Sequence, residues 1–224
     1  MRISHIIFDC DGVLVDSEPL SMRVDVEILA ENGVTMSAAE AHRRFVGKTF
    51  AAMITEVERE SGKRFPADTS AQKDRRLLEL YERELKPVSG MHEALEAIAM
   101  APYSVASNSP RQRVVESLRI TGLAPFFGGR ITTYENVVRA KPEPDVFIEA
   151  ARRAAADPAL CLVIEDSVTG VTAAAKAGCP VLGFTGTHHD QASHGRRLRD
   201  AGAGIVFHEM AQLPKLVSSF RNPR

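Results

Sequence analysis

The stretch Phe8-Asp9-Cys10-Asp11-Gly12-Val13-Leu14-Val15-Asp16-Ser17-Glu18 decides how this chain of 224 residues is interpreted. It follows a mostly apolar run, residues 3–8, and places Asp9 and Asp11 where a buried strand should end. Residues i and i+2 of an extended segment point to the same side, and a buried unpaired carboxylate is costly. The pair therefore indicates a site in which a cation lies beside both groups, or one group is a nucleophile and the other transfers protons. Gly12 lets the backbone turn tightly and approach a ligand.

Four short apolar runs are predicted to be strands, because they are nearly continuous in apolar character and match parallel strands covered on both faces. They are residues 5–10, Tyr103–Ser107, Cys161–Glu165 and Val181–Phe184. Helical patterns alternate with them, at residues 111–121, 144–156 and 168–177. This alternation predicts an α/β fold with a doubly wound, Rossmann-like parallel sheet.

Residues 17–86 differ from the rest of the chain because they contain several amphipathic helical patterns and no convincing strand. Leu20, Val24 and Ile28, for example, recur every fourth residue. The charged run at residues 73–76 is expected to be a solvated helix face. We therefore predict a small all-helical cap domain, residues 17–86, inserted after the first strand. Residues 1–16 and 87–224 are predicted to form the α/β catalytic core.

Composition narrows the class of protein. With 44% hydrophobic and 25% charged residues the chain is typical of a globular protein, and its net charge of −1 argues against a nucleic-acid partner. No run approaches the roughly 20 apolar residues of a membrane span, and no signal-peptide pattern opens the chain. Cys10, Cys161 and Cys179 are too few and scattered for a disulfide framework, which favours simple packing in a reducing compartment. We expect a cytoplasmic monomer or small homo-oligomer that binds neither nucleic acid nor membrane.

Polar residues that a core would not tolerate follow the predicted strands or lie in the loops between them. They are Asp9 and Asp11, Ser107-Asn108-Ser109, Lys141-Pro142 and Glu165-Asp166-Ser167. In an open parallel sheet these loops can converge on one crevice. Several carboxylates in one crevice require a hard cation, and a set of oxygen ligands favours Mg²⁺. A lysine, a serine hydroxyl and backbone N–H groups form a phosphate cradle, so the set predicts phosphoryl transfer.

These four motifs, in this order, resemble those of the haloacid dehalogenase superfamily of phosphohydrolases. Three segments look like the branch that contains phosphoglycolate phosphatase and β-phosphoglucomutase. They are Phe8-Asp-Cys-Asp-Gly-Val-Leu-Val-Asp-Ser-Glu18, Lys141-Pro-Glu-Pro-Asp-Val-Phe147 and Glu165-Asp-Ser-Val-Thr-Gly-Val-Thr-Ala-Ala-Ala-Lys-Ala-Gly178. The resemblance covers nearly the whole chain. That branch carries its small helical cap between the first and second motifs, where this chain has its helical insert.

The resemblance implies a role for each matching residue. Asp9 would be the nucleophile that forms an aspartyl-phosphate, and Asp11 the general acid and then the general base. The residues implied to bind the transferring phosphoryl group are Ser107, Asn108 and Lys141, with the backbone at Gly12. The residues implied to bind Mg²⁺ are Asp9, Asp11 through its carbonyl, Asp166, and Glu165 directly or through water.

Two further sets of residues are open to more than one interpretation. Lys48 and Thr49 lie in a turn of the helical insert, where a cap side chain could contact the substrate; the alternative for Lys48 is an ordinary exposed lysine. His188, His189 and His194 lie on a polar loop, and we expect them to be surface residues rather than metal ligands.

The function predicted from the sequence is Mg²⁺-dependent hydrolysis of a phosphate monoester of a small metabolite, a sugar or polyol phosphate. A β-phosphoglucomutase-like phosphosugar mutase is the main alternative, because it differs only in how long the aspartyl-phosphate survives water. A phosphonatase with Lys48 as a Schiff base is a weaker alternative, and Asp11 argues against a dehalogenase. The non-enzymatic alternative is a receiver-like phospho-acceptor module, which the helical insert of about 70 residues disfavours.

Overall fold

The computed structural model describes residues 3–45, 49–99 and 101–221. The chain divides into two compact units. The first unit comprises Met1–Asp16 and Lys86–Arg224, and the second comprises Ser17–Leu85. None of the helices in the described ranges combines the length and the apolar character that crossing a membrane requires.

The first unit is built on a parallel sheet with the strand order β3-β2-β1-β4-β5-β6. Its strands are β1 His5–Phe8, β2 Tyr103–Ser107, β3 Ile131–Thr133, β4 Cys161–Glu165, β5 Val181–Phe184 and β6 Ile205–Phe207. The predicted doubly wound parallel sheet is therefore confirmed. Three predicted strands have the predicted bounds, the first ends at Phe8 rather than at residue 10, and the two three-residue edge strands were not predicted.

The order of the strands reverses direction at β1. Ile7 of β1 pairs with Ser104 of β2 on one side and with Val163 of β4 on the other. Ligands of open α/β sheets bind at such a switch point, beyond the carboxyl ends of the strands. The loops that follow β1, β2 and β4 are therefore neighbours.

Helices connect and cover these strands. The described helices of the first unit are α5 Met91–Ala97, α6 Arg111–Ile120, α7 Ala124–Phe127, α8 Asp145–Arg153, α9 Val168–Lys176, α10 Gln191–Ala201 and α11 Leu213–Arg221, and those of the second unit are α1 Glu18–Glu31, α2 Ala38–Phe45, α3 Phe50–Ser61 and α4 Thr69–Glu84. Fully buried side chains of β1, β4, α8 and α9, such as Ile7, Val163, Phe147 and Val171, form one apolar core. This core holds the strand ends in place because close-packed interiors tolerate little displacement.

The second unit contains helices joined by short loops and no strand in its described residues, 17–45 and 49–85. Leu29, Phe45, Met53 and Val57 form its core. The expectation of a solvated face over residues 73–76 is wrong at Lys73, which is buried with its Nζ 2.6 Å from Asp25 Oδ1. The reason is that α4 packs against α1, and Asp25 lies on α1.

The three cysteines are free thiols, and all of them are buried. The interpretation that they serve packing rather than disulfide formation is confirmed. Burial raises the pKa of each thiol, and at Cys10 the carboxylates of Asp11 and Asp9 add to this effect. Thiols with raised pKa values are poor nucleophiles, so Cys10 does not compete with its neighbours for a chemical role.

Candidate active site

A tight turn follows β1 and places the two aspartates. The backbone N–H of Asp9 donates to the Ile164 carbonyl at 3.0 Å, which continues the pairing between β1 and β4. The chain then turns at Gly12, whose φ is +80° and whose N–H donates to the Val15 carbonyl at 2.9 Å. A Cβ at Gly12 would lie 2.2 Å from Asp166 Oδ2. Glycine is therefore needed here both for the backbone conformation and for the close approach of Asp166.

Lys141 is the centre of the candidate site. Its Nζ lies 2.5 Å from Asp9 Oδ1, 2.8 Å from Glu165 Oε1 and 3.0 Å from the Ala106 carbonyl oxygen. These contacts account for the three hydrogens of an ammonium group. Lys141, Asp9 and Glu165 are all buried. The structure thus brings together side chains from the ends of β1 and β4 and from the loop before α8, as the sequence predicted.

Burial and neighbouring charges shift the pKa values in this group. Burial raises the pKa of Asp9 well above its ordinary value, the Glu165 and Asp166 carboxylates raise it further, and Lys141 acts in the opposite direction. Burial alone would lower the pKa of Lys141, but Asp9 and Glu165 outweigh it and raise this pKa above its usual value. Lys141 therefore stays charged, and three carboxyl groups, Asp9, Glu165 and Asp166, surround this part of the site.

Glu165 is the second carboxylate in contact with Lys141. One of its oxygens, Oε1, accepts from Lys141, and the other accepts from the Ser167 N–H at 2.7 Å and from the Ser167 hydroxyl at 3.0 Å. A Cβ at Gly170, in the first turn of α9, would lie only 1.6 Å from Glu165 Oε1. Sequence reasoning did not single out Gly170, although a glycine inside a helical pattern is a signal of close approach.

The motif after β2 contacts the loop that carries Lys141. The side-chain amide of Asn108 donates to the Lys141 carbonyl at 3.2 Å, and its oxygen accepts from the Lys141 N–H at 3.0 Å. Ser107 is buried, and its hydroxyl accepts from the Ser109 N–H at 2.9 Å. Asn108 therefore fixes the backbone of Lys141. Phosphate binding by Ser107, Asn108 and Gly12 stays a prediction.

Asp11 contacts Ser109 of the second motif and, through it, Arg113, which the sequence did not identify. The hydroxyl of Ser109 donates to Asp11 Oδ2 at 2.5 Å, and the guanidinium of Arg113 donates to the same hydroxyl at 2.6 Å. Because a guanidinium can only donate, the hydroxyl proton must point to Asp11. Ser109 precedes α6 by two residues and Arg113 lies in its first turn, so the beginning of this helix orients the Asp11 carboxylate.

Asp166 lies among the histidines that were expected to be surface residues. That expectation is wrong for His194, which lies in α10 and is buried, and for His188, whose side chain is 10% exposed. His188 Nε2 lies 3.0 Å from Asp166 Oδ2, and His194 Nε2 lies 2.5 Å from the Asp166 carbonyl oxygen. Only His189 is exposed among the three. The turn between β5 and α10 folds this segment against the end of β4, which no local pattern reveals.

The acidic groups at the strand ends fit a divalent cation. Asp9, Glu165 and Asp166 each offer an oxygen, and these oxygens lie within 4.8 Å of one another. An all-oxygen set with excess negative charge suits a hard cation such as Mg²⁺. Both Glu165 oxygens already accept from protein groups. The Asp11 side chain faces Ser109, which does not bear on the predicted contribution of its backbone carbonyl. Metal binding by Asp9, Asp11, Glu165 and Asp166 stays a prediction.

The candidate residues of the second unit are less informative. Thr49 is the N-cap of α3, and its hydroxyl accepts from the Ala52 N–H at 3.2 Å. A substrate contact of Thr49 stays a prediction. Lys48 lies outside the described residues.

A parallel sheet with carboxylates, a buried lysine and hydroxyl groups at its switch point defines an α/β enzyme of the phosphohydrolase class. The sequence matches the haloacid dehalogenase-like hydrolases over residues 3–178, and the chain belongs to this family. It is 30% identical to 6-phosphogluconate phosphatase of Escherichia coli (strain K12) over 217 residues, which cover 96% of this chain and 95% of the relative.

Two solved structures support the same family. A conserved haloacid dehalogenase-like protein of Agrobacterium tumefaciens str. C58 superimposes with a TM-score of 0.87 and is 36% identical, over 98% of this chain and 100% of that one. A family hydrolase of Deinococcus radiodurans R1, crystallised with bound phosphate and sodium, has a TM-score of 0.79 and 29% identity, over 98% of this chain and 96% of that one.

Proposed function

We propose that this protein hydrolyses the phosphate monoester of a small metabolite, a sugar or polyol phosphate, through an aspartyl-phosphate on Asp9. The observation that carries the proposal is the buried contact of Asp9 with Lys141 at the switch point of the sheet. The similarity to 6-phosphogluconate phosphatase supports the substrate class. The bound phosphate in the Deinococcus radiodurans hydrolase supports an anion-binding site in proteins of this fold.

The first step transfers the phosphoryl group to Asp9. An Asp9 carboxylate oxygen attacks phosphorus, the bond between phosphorus and the ester oxygen breaks, and Asp11 gives its proton to the departing alkoxide. Lys141 holds Asp9 in position and offsets its charge, so that the attacking carboxylate and the phosphoryl group can approach. Asn108 supports this arrangement through the Lys141 backbone.

The second step releases phosphate. Asp11, now ionised, takes a proton from water, and the water oxygen attacks phosphorus and displaces Asp9 as a free carboxylate. Asp9 and Asp166 would hold Mg²⁺, which when bound supplies positive charge next to the phosphoryl oxygens. The Ser109 hydroxyl directs its proton to Asp11, so Asp11 is oriented before either proton transfer begins.

We further propose that the helical unit Ser17–Leu85 is the cap that selects the substrate. The chemistry described above uses residues of the first unit only, so the choice of metabolite is left to another part of the chain. Function in such folds resides in the residues added around a common core. Lys48 and Thr49 stay candidates for this contact.

Replacement of the nucleophile tests the proposal most directly. The variant Asp9→Asn should release phosphate from p-nitrophenyl phosphate more than about 10⁴-fold more slowly than the wild type, because an amide cannot form the acyl-phosphate. EDTA should inhibit the wild type, and added Mg²⁺ should restore it. Asp16→Asn, at an exposed aspartate of the same unit, is the control and should keep full activity. Undiminished turnover by Asp9→Asn would disprove the mechanism.

A panel of phosphorylated metabolites identifies the substrate. 6-Phosphogluconate, hexose phosphates and hexitol phosphates are incubated with the enzyme, and both free phosphate and the organic product are measured. The proposal expects stoichiometric free phosphate and the dephosphorylated sugar or polyol. An isomeric phosphosugar without phosphate release would instead identify a mutase.

A further inference from the structure

The imidazole of His194 is fixed in one tautomer by its two neighbours. The guanidinium of Arg197 lies 2.7 Å from His194 Nδ1 and can only donate, so Nδ1 is an acceptor. The opposite nitrogen, Nε2, lies 2.5 Å from the Asp166 carbonyl oxygen, which can only accept. His194 is therefore the neutral tautomer with its proton on Nε2. It ties the backbone of Asp166 to α10.

His188 acts on the side chain of the same aspartate. Its Nε2 donates to Asp166 Oδ2 at 3.0 Å, since a carboxylate oxygen accepts. The His188 and His194 rings are stacked, with centroids 3.6 Å apart and planes 19° apart. Nε2 of His188 is thus occupied by a hydrogen bond, and the ring cannot swing away without losing its stacking partner.

The turn after β1 closes the other side of this arrangement. The Thr187 hydroxyl donates to the Gly12 carbonyl at 3.0 Å, which joins the segment after β5 to the turn. The absent side chain of Gly12 leaves the space that Asp166 Oδ2 occupies. Asp166 is therefore restrained at its backbone by His194 and at its carboxylate by His188, with Gly12 at contact distance.

We propose that His188 and His194 are positioning residues that hold Asp166 in the orientation in which it binds the divalent cation. The inference rests on the proposed function, which assigns the cation to Asp9 and Asp166. Groups that hydrogen-bond to a metal ligand fix its direction, and their loss weakens metal binding although they never touch the ion. We assign His188 a positioning role rather than that of a metal ligand, because its Nε2 hydrogen-bonds to the Asp166 carboxylate.

Cation affinity, rather than turnover, tests the inference. Binding of Mg²⁺ and of Mn²⁺ to the full chain is measured by isothermal titration calorimetry. His188→Ala should weaken both affinities by a similar factor, about 10- to 100-fold. His188→Gln should restore most of the affinity, because the glutamine amide can donate to the same oxygen. His189→Ala, at the exposed neighbour, should match the wild type.

The outcomes separate the alternatives. A loss of affinity for Mn²⁺ far larger than that for Mg²⁺ would identify His188 as a direct nitrogen ligand and overturn the inference, since imidazole favours transition metals. Unchanged affinity in His188→Ala would overturn it as well, and so would an equal loss in His189→Ala. If the wild type binds neither ion, the cation assignment of the proposed function is wrong. If the wild type binds the ions and His188→Ala binds them with the same affinity, only this inference is wrong.

A second variant tests the role of His194 and does not depend on whether His188→Ala folds. Arg197 lies on the exposed side of α10, and Arg197→Met removes the donor that fixes the His194 tautomer. It should weaken Mg²⁺ binding in the same direction but by less than His188→Ala, whereas Arg196→Met next to it should have no effect. Equal affinities for Arg197→Met and Arg196→Met would contradict the role of His194.

Discussion

Each of the two units contains a buried lysine that lies beside a carboxylate and over a phenylalanine ring. Lys141 Nζ lies 2.5 Å from Asp9 and 4.8 Å from the centroid of the Phe147 ring. Lys73 Nζ lies 2.6 Å from Asp25 and 4.5 Å from the centroid of the Phe50 ring. Lys141 also contacts Glu165, with Asp166 close by, and these carboxylates stand at the carboxyl ends of parallel strands, whereas Lys73 lies within a helix. A buried ion pair alone does not indicate chemistry, whereas an excess of buried negative charge at a switch point does.

The largest difference between the two lysines should be seen in catalysis. Lys141→Met removes the charge that offsets Asp9, so kcat/KM for p-nitrophenyl phosphate should fall by about 10³-fold or more, as for loss of a preorganised electrostatic group. Lys176→Met, at a half-exposed lysine of the same unit, is the matched control. Circular dichroism establishes that both variants are folded. Full activity of Lys141→Met would show that the ion pair of Lys141, like that of Lys73, has no role in catalysis.

Replacing the buried lysine of the helical unit should lower the stability of the protein rather than its activity. Lys73→Met leaves the buried Asp25 carboxylate without the lysine charge, and breaking a buried pair in this way costs about 3–5 kcal/mol in the free energy of unfolding. Urea denaturation followed by circular dichroism measures the loss, with Lys63→Met at an exposed lysine of the same unit as the control.

The double variant Lys73→Met with Asp25→Leu sharpens this test. Replacing both partners by apolar residues of similar volume is often neutral or stabilising, so the double variant should regain most of the stability lost in Lys73→Met. No such replacement is expected to rescue the catalytic lysine, whose charge is required by the reaction. A double variant as unstable as Lys73→Met would show that apolar residues cannot replace the pair of Lys73 and Asp25 in the helical unit.

The sequence predicted those features that depend on local pattern and on the order of the motifs. The central strands were found because their apolar runs are nearly continuous, and the convergence of Asp9, Lys141 and Glu165 follows from their places in a parallel sheet. The edge strands Ile131–Thr133 and Ile205–Phe207 were not predicted, because a run of three residues is too short to show a hydrophobic periodicity.

Burial of polar side chains by distant elements could not be predicted. Lys73 is buried because α1 brings Asp25 to it. The His194 ring is buried and the His188 ring largely covered because the chain after β5 folds against the end of β4. In both cases the residues look like ordinary surface positions in their own sequence neighbourhood. Only the partner, which lies 22 or more positions away, distinguishes them.

The smallest of these effects concerns the packing that keeps the catalytic pair in place. Gly170→Ala would normally favour a helix by about 1 kcal/mol, but here the added Cβ would overlap Glu165 Oε1, which must move. Since Oε1 holds Lys141, kcat/KM should fall by about 10²-fold, the cost of a displacement of roughly 1 Å at a reacting group. Thr172→Ala in the same helix is the control and should leave kcat/KM unchanged. If Gly170→Ala is as active as the wild type, Glu165 does not position Lys141, and the excess of carboxylates around that lysine serves the cation alone.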